Sequence, residues 1–419
     1  MSLRTESVEA LALYIHEQRI GVVAHYSGNR NILTFDPEYA ALAESERPVF
    51  TLAQKMRSTY LQSPLGSTLR LPPVLSNLLP EGTLREWMAQ ALKIHRDSEF
   101  PLLAYTAKNL PGALSARAVA LGELPDWVKA SREGRLEPVQ IDVRQRADKF
   151  SLAGVQMKFS ALMEGGRFNV STEVGEDSWI IKTPSVVHPF LAENEFTAMT
   201  LAASVGIDVP EIKLVGLSAI ENLPDIRLPD EPFAFSIKRF DRSLTGRIHT
   251  EDFAQIFEVY AHDKYVRHNY EQIAVLLARV ASAGLPDVQQ MARRLLVNIL
   301  LGNGDAHLKN WSVIYPDGLN ARLSPAYDIV STRVYMQDED AVALNMAKEK
   351  RWTVIDFSTF EKWANRIGVS WPAIKVHLND VLNIARSEWS DRLESLPMAD
   401  AHKLILRRHW ASLPTDFRL

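Results

Sequence analysis

Apolar positions change their period several times along the chain, and the changes divide it. Between residues 8 and 35 they fall in short runs, Leu11 to Ile15, Gly21 to Tyr26 and Ile32 to Phe35, with a polar turn at Glu17-Gln18-Arg19; this predicts strands. Around Asn77-Leu78-Leu79-Pro80-Glu81-Gly82 the spacing becomes helical, with Leu84, Trp87, Met88 and Leu92 on one side, and the chain is expected to remain compact to about Leu121. Residues 131 to 149 are rich in Arg, Glu, Asp and Lys and poor in large apolar side chains, as in a solvated connector. Phe159 to Met163 and Phe168 to Ser171 then flank a hairpin turn at Glu164-Gly165-Gly166-Arg167, and Ser178 to Thr183 supplies a third strand. A helix is expected from about Phe190 to Val205, closed by Gly206, with strands near Ile212 to Leu217 and Phe233 to Arg239. Beyond Asp241 the pattern is mainly helical: about Glu251 to Tyr260, Tyr270 to Ala283, Asp287 to Leu301, Phe357 to Ile367, Trp371 to Leu393 and Ala399 to Trp410.

One interruption of that helical half carries the chemistry. Met291, Leu295, Leu296, Ile299 and Leu300 have core-helix spacing and lead directly into Gly302-Asn303-Gly304, so the polar run Asp305-Ala306-His307-Leu308-Lys309-Asn310 emerges from a buried helix. Trp311, Val313 and Tyr315 then alternate with Ser312 and Ile314, Pro316-Asp317-Gly318 turns the chain, and Ala321 to Ser324 returns it toward Tyr327-Asp328-Ile329. Singly, Asp, Asn and Gly are ordinary turn formers. Together, Asp305, Asn310 and Asp328 have the order and spacing of phosphoryl-transfer loops: an aspartate that orients the acceptor hydroxyl, a metal-binding asparagine five residues on, and a second metal-binding aspartate one hairpin later. His307 reads either as a proton carrier or as a structural hydrogen-bonding residue, and the structural reading is preferred.

A nucleotide would need further groups upstream. Lys182, in Trp179-Ile180-Ile181-Lys182-Thr183, shares a strand face with Ile180 and wants an anion; in a kinase this is a phosphate, with a carboxylate from the next helix, Glu195 or Glu193, holding the lysine. The bland alternatives are a lysine stem that packs while its ammonium reaches water, and acidic residues placed for the helix dipole. Ser151-Leu152-Ala153-Gly154-Val155-Gln156-Met157-Lys158 stands where a phosphate-covering loop belongs, although with one glycine it is neither a Walker sequence nor G-x-G-x-x-G. Backbone amides near Gly154, helped by Gln156 and Lys158, would contact phosphates. Phe235 to Phe240, which includes Lys238, joins the strand-rich part to the helical part, where adenine would stack. The expected fold class is α/β (α+β): a bilobal, protein-kinase-like arrangement with a small N-terminal domain (1–130), a strand-rich nucleotide lobe (131–245) and a helical C-terminal lobe (246–419).

Composition narrows the context. With 46% apolar and 23% charged residues the chain is ordinary for a globular protein, and no stretch approaches the ~20 apolar residues of a membrane helix. The opening MSLRTESVEALALYI has glutamates where a secretory signal has a basic region, so a cytoplasmic protein with no membrane partner is expected. The absence of cysteine excludes disulfides, thiolate metal sites and cysteine nucleophiles. A net charge of −4 argues against nonspecific nucleic-acid binding.

At the level of ordered motifs the chain resembles the HipA family of bacterial toxin kinases over nearly its full length. The resemblance rests on Asn77-Leu78-Leu79-Pro80, Ser151-x-Ala153-Gly154-x-Gln156-x-Lys158, the Glu195 helix, Arg239-Phe240-Asp241-Arg242, Glu251-Asp252-Phe253, Gly304-Asp305-x-His307-x-Lys309-Asn310 and Ser324-Pro325-x-Tyr327-Asp328. It implies a serine/threonine kinase that uses ATP and Mg2+, neutralised by a HipB-like DNA-binding antitoxin with which it represses its own operon, operator DNA being contacted mainly through the antitoxin. The best-known family substrate is glutamyl-tRNA synthetase, whose phosphorylation leads to growth arrest and persistence. Carried across by motif, Asp305 is the catalytic base, Asn310 and Asp328 are the magnesium ligands and Lys182 binds phosphate. Ser151 matches the serine that family members autophosphorylate. Ser151, Ala153, Gly154, Val155, Gln156, Lys158, Lys182, Glu195, Lys238, Phe240, His307 and Lys309 are expected to line the ATP site. Met157 and Phe159 replace acidic and hydroxyl residues of the best-known member, which leaves the target open. A small-molecule kinase and a catalytically silent corepressor are the competing readings; loss of Lys182, Asp305, Asn310 or Asp328 would mark the latter, and all four are present.

Overall fold

The computed structural model describes residues 5–107, 110–120, 122–130, 134–142, 157–164, 167–170, 178–223 and 227–419. The first apolar runs pair as antiparallel strands, Ala10–Ile15 with Gln18–Tyr26 and Gln18–Tyr26 with Arg30–Phe35. Among the described residues they form the middle of a five-stranded sheet flanked by Leu65–Thr68 and Leu114–Ala118. The last strand lies inside the region expected to be compact up to Leu121, where the sequence pattern marked helix at its start and no strand. Helices occupy Gly82–Ala91 and Glu99–Thr106, after which the chain returns to the sheet beside Ala10–Ile15. Leu114 and Ala116 are buried and Arg117 is exposed, a period-two signal spread over too few residues to stand out. Leu11, Leu13 and Ile15 of the sheet pack with Leu78, Leu79, Phe100 and Leu103 in one apolar core. The stretch read as a solvated connector also contributes a strand, Val139–Asp142, which pairs with Thr5–Val8.

The second sheet runs in the order Ile212–Gly216, Phe233–Lys238, Trp179–Lys182, Lys158–Glu164, Arg167–Val170, Ile220–Glu221. One face holds Ala161, Phe168, Trp179 and Ile181 in a small core of its own. The other, through Phe235 and Ile237, joins the core that contains the Leu191–Ser204 helix and the whole helical half. The sheet is thus the wall against which the helical half is assembled.

In the helical half, Tyr270–Val280 and Phe357–Ile367 each begin at a capping box, Asn269 with Gln272 and Asp356 with Thr359, whose side-chain oxygens accept from the N–H of the cap and of the first turn. The longer Leu285–Leu301 helix ends at Gly302 in the left-handed region, φ +60°. A Cβ at Gly302 would lie 2.8 Å from Cβ of Arg333, so glycine both ends the helix and admits a neighbouring segment. Two carbonyls at this end take partners from afar: His409 Nε2 lies 2.7 Å from Ile299 O, which also accepts from Gly302 N–H at 3.1 Å, and Trp410 Nε1 donates to Leu300 O at 2.8 Å. The helix expected over Glu251 to Tyr260 is replaced by a strand, His249–Asp252, and a helix of only Phe253–Ile256. Asp252 caps that helix in a box with Gln255, and a capping residue cannot itself lie inside the helix. The strand pairs with Ser312–Tyr315, which in turn pairs with Arg322–Leu323, so the hairpin after Asn310 is part of a three-stranded sheet. Among the described residues no helix is long and apolar enough to cross a membrane.

Leu300 is fully buried in the helix that carries the Gly302 turn. Leu300→Ala should cost about 2–5 kcal/mol of stability, measured as a lower denaturant midpoint with unchanged slope.

Candidate active site

Lys182 and Lys158 face each other across neighbouring strands, in register, with Phe235 opposite Lys182 on the other side. Lys182 is 3% exposed, and its ammonium forms ion pairs with both Glu195 and Asp328. Lys158 Nζ approaches Asp328 Oδ2 at 3.0 Å. Strand alternation accounts for this: Ile181 points into the small sheet core, while Ile180 and Lys182 point toward the helix. Of the two acidic residues at the helix start, Glu195 meets the lysine; Glu193 is buried elsewhere, with one carboxylate oxygen lacking a hydrogen-bond partner among the described residues.

Burial works against every charge in this group. At Lys182 it would lower the pKa, but Asp328 and Glu195 outweigh it and hold the ammonium above its ordinary value. Burial likewise pushes both carboxylates up; it prevails at Glu195, whereas at Asp328 the ammonium groups of Lys158 and Lys182 drive the carboxyl well below the usual range. Asp328 therefore carries the firm negative charge. Its backbone lies in the left-handed region at φ +54°, a conformation that aspartate tolerates better than most side chains. A reciprocal amide pair locks the following segment to the helix: Asn194 Nδ2 donates to Ser331 O, and Ser331 N–H donates to Asn194 Oδ1, each at 3.0 Å. No sequence signal marked Asn194, although it sits between the two glutamates.

The Asp305 loop is fixed mainly through its backbone. Asp305 N–H donates to Asn303 Oδ1 at 3.0 Å, and Asn303 Nδ2 donates to Asn298 Oδ1 at 2.9 Å. Tyr270 Oη and Trp311 Nε1 both donate to Ala306 O, at 2.9 and 3.1 Å. Asn310 Nδ2 donates to Asp305 O at 2.7 Å; because that carbonyl can only accept, the amide orientation is settled and Asn310 Oδ1 is left as an acceptor. Tyr327 Oη donates to Lys309 O at 2.8 Å and so binds the Asp328 segment to the loop. The Asp305 side chain itself is 44% exposed.

The remaining expected residues are placed as follows. His307 is buried, with Nε2 3.8 Å from Asp305 Oδ1, and burial lowers its pKa to about 4, so it is a neutral imidazole at ordinary pH. Lys238 is exposed and lies 3.7 Å from Glu211; the ring of Phe240 lies 5.6 Å from that of Tyr327. Lys309 finds its partners outside the Lys182–Asp328 pair. Its ammonium donates to Asn77 O at 2.8 Å and to Asp252 Oδ2 at 3.0 Å, and Glu81 Oε1 lies 3.2 Å away. It thereby ties the residue beside Asn310 to the Asn77–Glu81 motif, a contact across 232 positions of chain. Ser151, Ala153, Gly154, Val155 and Gln156 lie outside the described residues.

Chemically, the assembled groups are a pair of ammoniums, an ionised carboxylate, an amide oxygen and an accessible carboxylate. Among the described residues no three His, Asp or Glu side chains converge as a metal cage. Asp328 and Asn310 instead offer the few hard oxygens with which Mg2+ is held when phosphates supply other ligands.

Comparison with known proteins shows likenesses along most of the chain. The HipA N-terminal domain matches residues 11–117 and the HipA-like C-terminal domain residues 150–389. The candidate kinase Y4dM of Sinorhizobium fredii is 35% identical over 94% of each chain. The serine/threonine-protein kinase toxin HipA of Shewanella oneidensis is 25% identical over 68% of each chain. A chain of the solved S. oneidensis complex of HipA, HipB and operator DNA superposes with a TM-score of 0.71 at 19% identity, covering 96% of this chain and 95% of that one, a likeness of fold.

The Lys309 cluster has a pH signature. Burial raises the Glu81 carboxyl, but Lys309 and Lys264 outweigh it and bring the pKa from 4.5 down to about 2. A depressed carboxylate contributes stability above its unfolded value and loses it as pH falls through its folded value. The stability difference between the unaltered chain and Glu81→Gln should therefore be present above pH 4.5 and vanish toward pH about 2, as read from denaturant midpoints across pH. Lys309→Met should be the more damaging change at neutral pH, because it leaves the largely covered Asp252 carboxylate without the ammonium that pairs with it at 3.0 Å.

Proposed function

The chain belongs to the HipA family, and on that premise we propose that it transfers the γ-phosphoryl group of ATP to a serine or threonine hydroxyl of a protein. The observation that carries this reading is Lys182, buried between Glu195 and the ionised Asp328, with the Asp305–Asn310 loop tied to the same segment through Tyr327. Lys182, with Lys158 beside it, binds nucleotide phosphate. Asp328 and the free oxygen of Asn310 hold Mg2+, which when bound neutralises charge on the phosphates and orients them. Asp305 accepts the proton of the acceptor hydroxyl as its oxygen bonds to the γ-phosphorus; the bond to the β,γ-bridging oxygen breaks and ADP departs with that oxygen. Neutral His307 supports the loop from below rather than carrying the proton.

The same reading divides the chain at 1–130, 131–245 and 246–419, with adenine resting near Lys238 and Phe240. Ser151 is the autophosphorylation site: a phosphate there adds about two negative charges at neutral pH, which repel those of ATP and silence the enzyme. The protein acts in the cytoplasm as the toxin of a toxin–antitoxin pair, is neutralised by a HipB-like partner, reaches operator DNA through that partner and represses its operon with it. The structural likeness to a HipA–HipB–operator complex supports the partnership. Glutamyl-tRNA synthetase is the first target to test, as the family's best-known substrate.

Two substitutions separate the assigned roles. Asp305→Asn should bind ATP nearly as well as the unaltered chain while losing at least ~10²-fold in phosphate transfer; Asp328→Asn should weaken nucleotide binding as well. Peptide mass spectrometry of the full chain with magnesium and ATP, beside calorimetric ATP titration, reads both. Equal losses of ATP affinity in the two variants would contradict the assignment, and ATP binding without any protein phosphate would shift the reading toward a small-molecule kinase.

A further inference from the structure

Tyr265 carries no motif and plays no part in the roles assigned so far. It lies in the loop between the Phe253–Ile256 and Tyr270–Val280 helices, and its hydroxyl donates a hydrogen bond to Asp305 Oδ1. The ring is held on two sides. The imidazole of His307 meets it edge-on, with centroids 4.9 Å apart at 84°, and the Lys264 ammonium lies 5.6 Å from its centroid. Lys264 is itself fixed by Glu81 at 3.1 Å, and Arg267 pairs with Asp263 at 2.8 Å within the same loop. Burial, reinforced by the charge of Asp305, raises the phenol pKa, so the hydroxyl remains a donor at any working pH.

Asp305 has two carboxylate oxygens, and the structure treats them differently. Oδ1 takes the Tyr265 bond and faces His307 Nε2 at 3.8 Å. Oδ2 takes no hydrogen bond among the described residues, on a side chain that is 44% exposed. A carboxylate turns easily about its terminal torsion, which has only broad, two-fold preferences. Anchoring one oxygen aims the other.

We infer that Tyr265 is a positioning residue for phosphoryl transfer, its hydroxyl fixing Asp305 so that Oδ2 receives the proton of the acceptor. The inference rests on the reading of Asp305 as the base. It also gives the Lys264–Glu81 contact a purpose, since that contact holds in place the loop from which Tyr265 reaches the carboxylate. A single hydrogen bond to a charged group sets the scale of the effect at about tenfold in rate.

The test is steady-state ADP formation by the full chain with magnesium and ATP, which counts transfer to any hydroxyl, water included, in four proteins: unaltered, Tyr265→Phe, Asp305→Asn and the double variant. Tyr265→Phe removes one oxygen atom and should lower kcat about tenfold while leaving KM for ATP and the melting temperature unchanged. In the Asp305→Asn background the same substitution should have no further effect, because its action passes through the carboxylate. An unchanged kcat in Tyr265→Phe overturns the inference, as does an equal further loss in the double variant. Full activity in Asp305→Asn instead overturns the reading of Asp305 as base and the inference with it. Phosphate found on Tyr265 itself, by peptide mass spectrometry, would make the residue an acceptor and refute its positioning role.

Discussion

A single buried ammonium organises the larger, C-terminal part of this protein. Lys182 comes from the strand sheet, Glu195 from the helix packed on that sheet, and Asp328 from the segment that follows the hairpin of the helical half. Transfer of a lone charge into such a site would be prohibitive. Each element therefore needs the others to make its own polar group tolerable, and the three cannot separate without leaving a charge unpaired. The Asn194–Ser331 amide pair, close to the same junction, fixes the distance between helix and segment by hydrogen bonding rather than by charge. In the proposed reaction the lysine and Asp328 exchange partners, for phosphate and for magnesium. The site is held by the same charges it uses.

The N-terminal part is joined to this machinery by polar contacts as well as packing. Thr51 Oγ1 and Leu52 N–H donate to the two oxygens of Glu251, at 2.8 and 2.6 Å, and burial foremost raises that carboxyl to about 7. Asn77 and Glu81 grip Lys309, next to Asn310, while Glu81 also grips Lys264, next to Tyr265. The Asn77-Leu78-Leu79-Pro80-Glu81 motif thus has two faces. Its leucines are buried in the first sheet's core, and its polar residues bracket the Asp305–Asn310 loop. A domain that looks separable in sequence contributes to the placement of a loop more than two hundred residues away.

The legible parts of the sequence were those where neighbours in the chain are neighbours in space. Asp305, Asn310 and Asp328 could be related because a helix end, a turn and one hairpin separate them, and Lys182 with Glu195 because a strand is followed directly by the helix packed on it. Leu114–Ala118 and Val139–Asp142 pair with strands near the chain's start, and four or five residues of alternation carry little signal against the helical or charged residues around them. The hairpin Ala341–Met346 with Glu349–Arg351 was hidden for another reason: its turn places Ala347 and Lys348 at positive φ, where glycine or asparagine would have announced it. Lys309 was assigned to nucleotide from its place in a motif, while its partners in space lie at Asn77, Glu81 and Asp252. Tyr265 had no motif at all, since its meaning comes from the loop that brings it to Asp305.

The carbonyls of Ile299 and Leu300 are satisfied by His409 and Trp410, 110 positions further along the chain. In the order of synthesis, Asp305 leaves the ribosome well before the helix that finishes the support beneath it. A nascent chain that has emerged only as far as Asp328 possesses every residue assigned to the chemistry, yet the helix that leads into the Asp305 loop still lacks the two side chains that bind its last carbonyls. The end of that helix is therefore completed only when a stretch of chain about a hundred residues later has folded onto it.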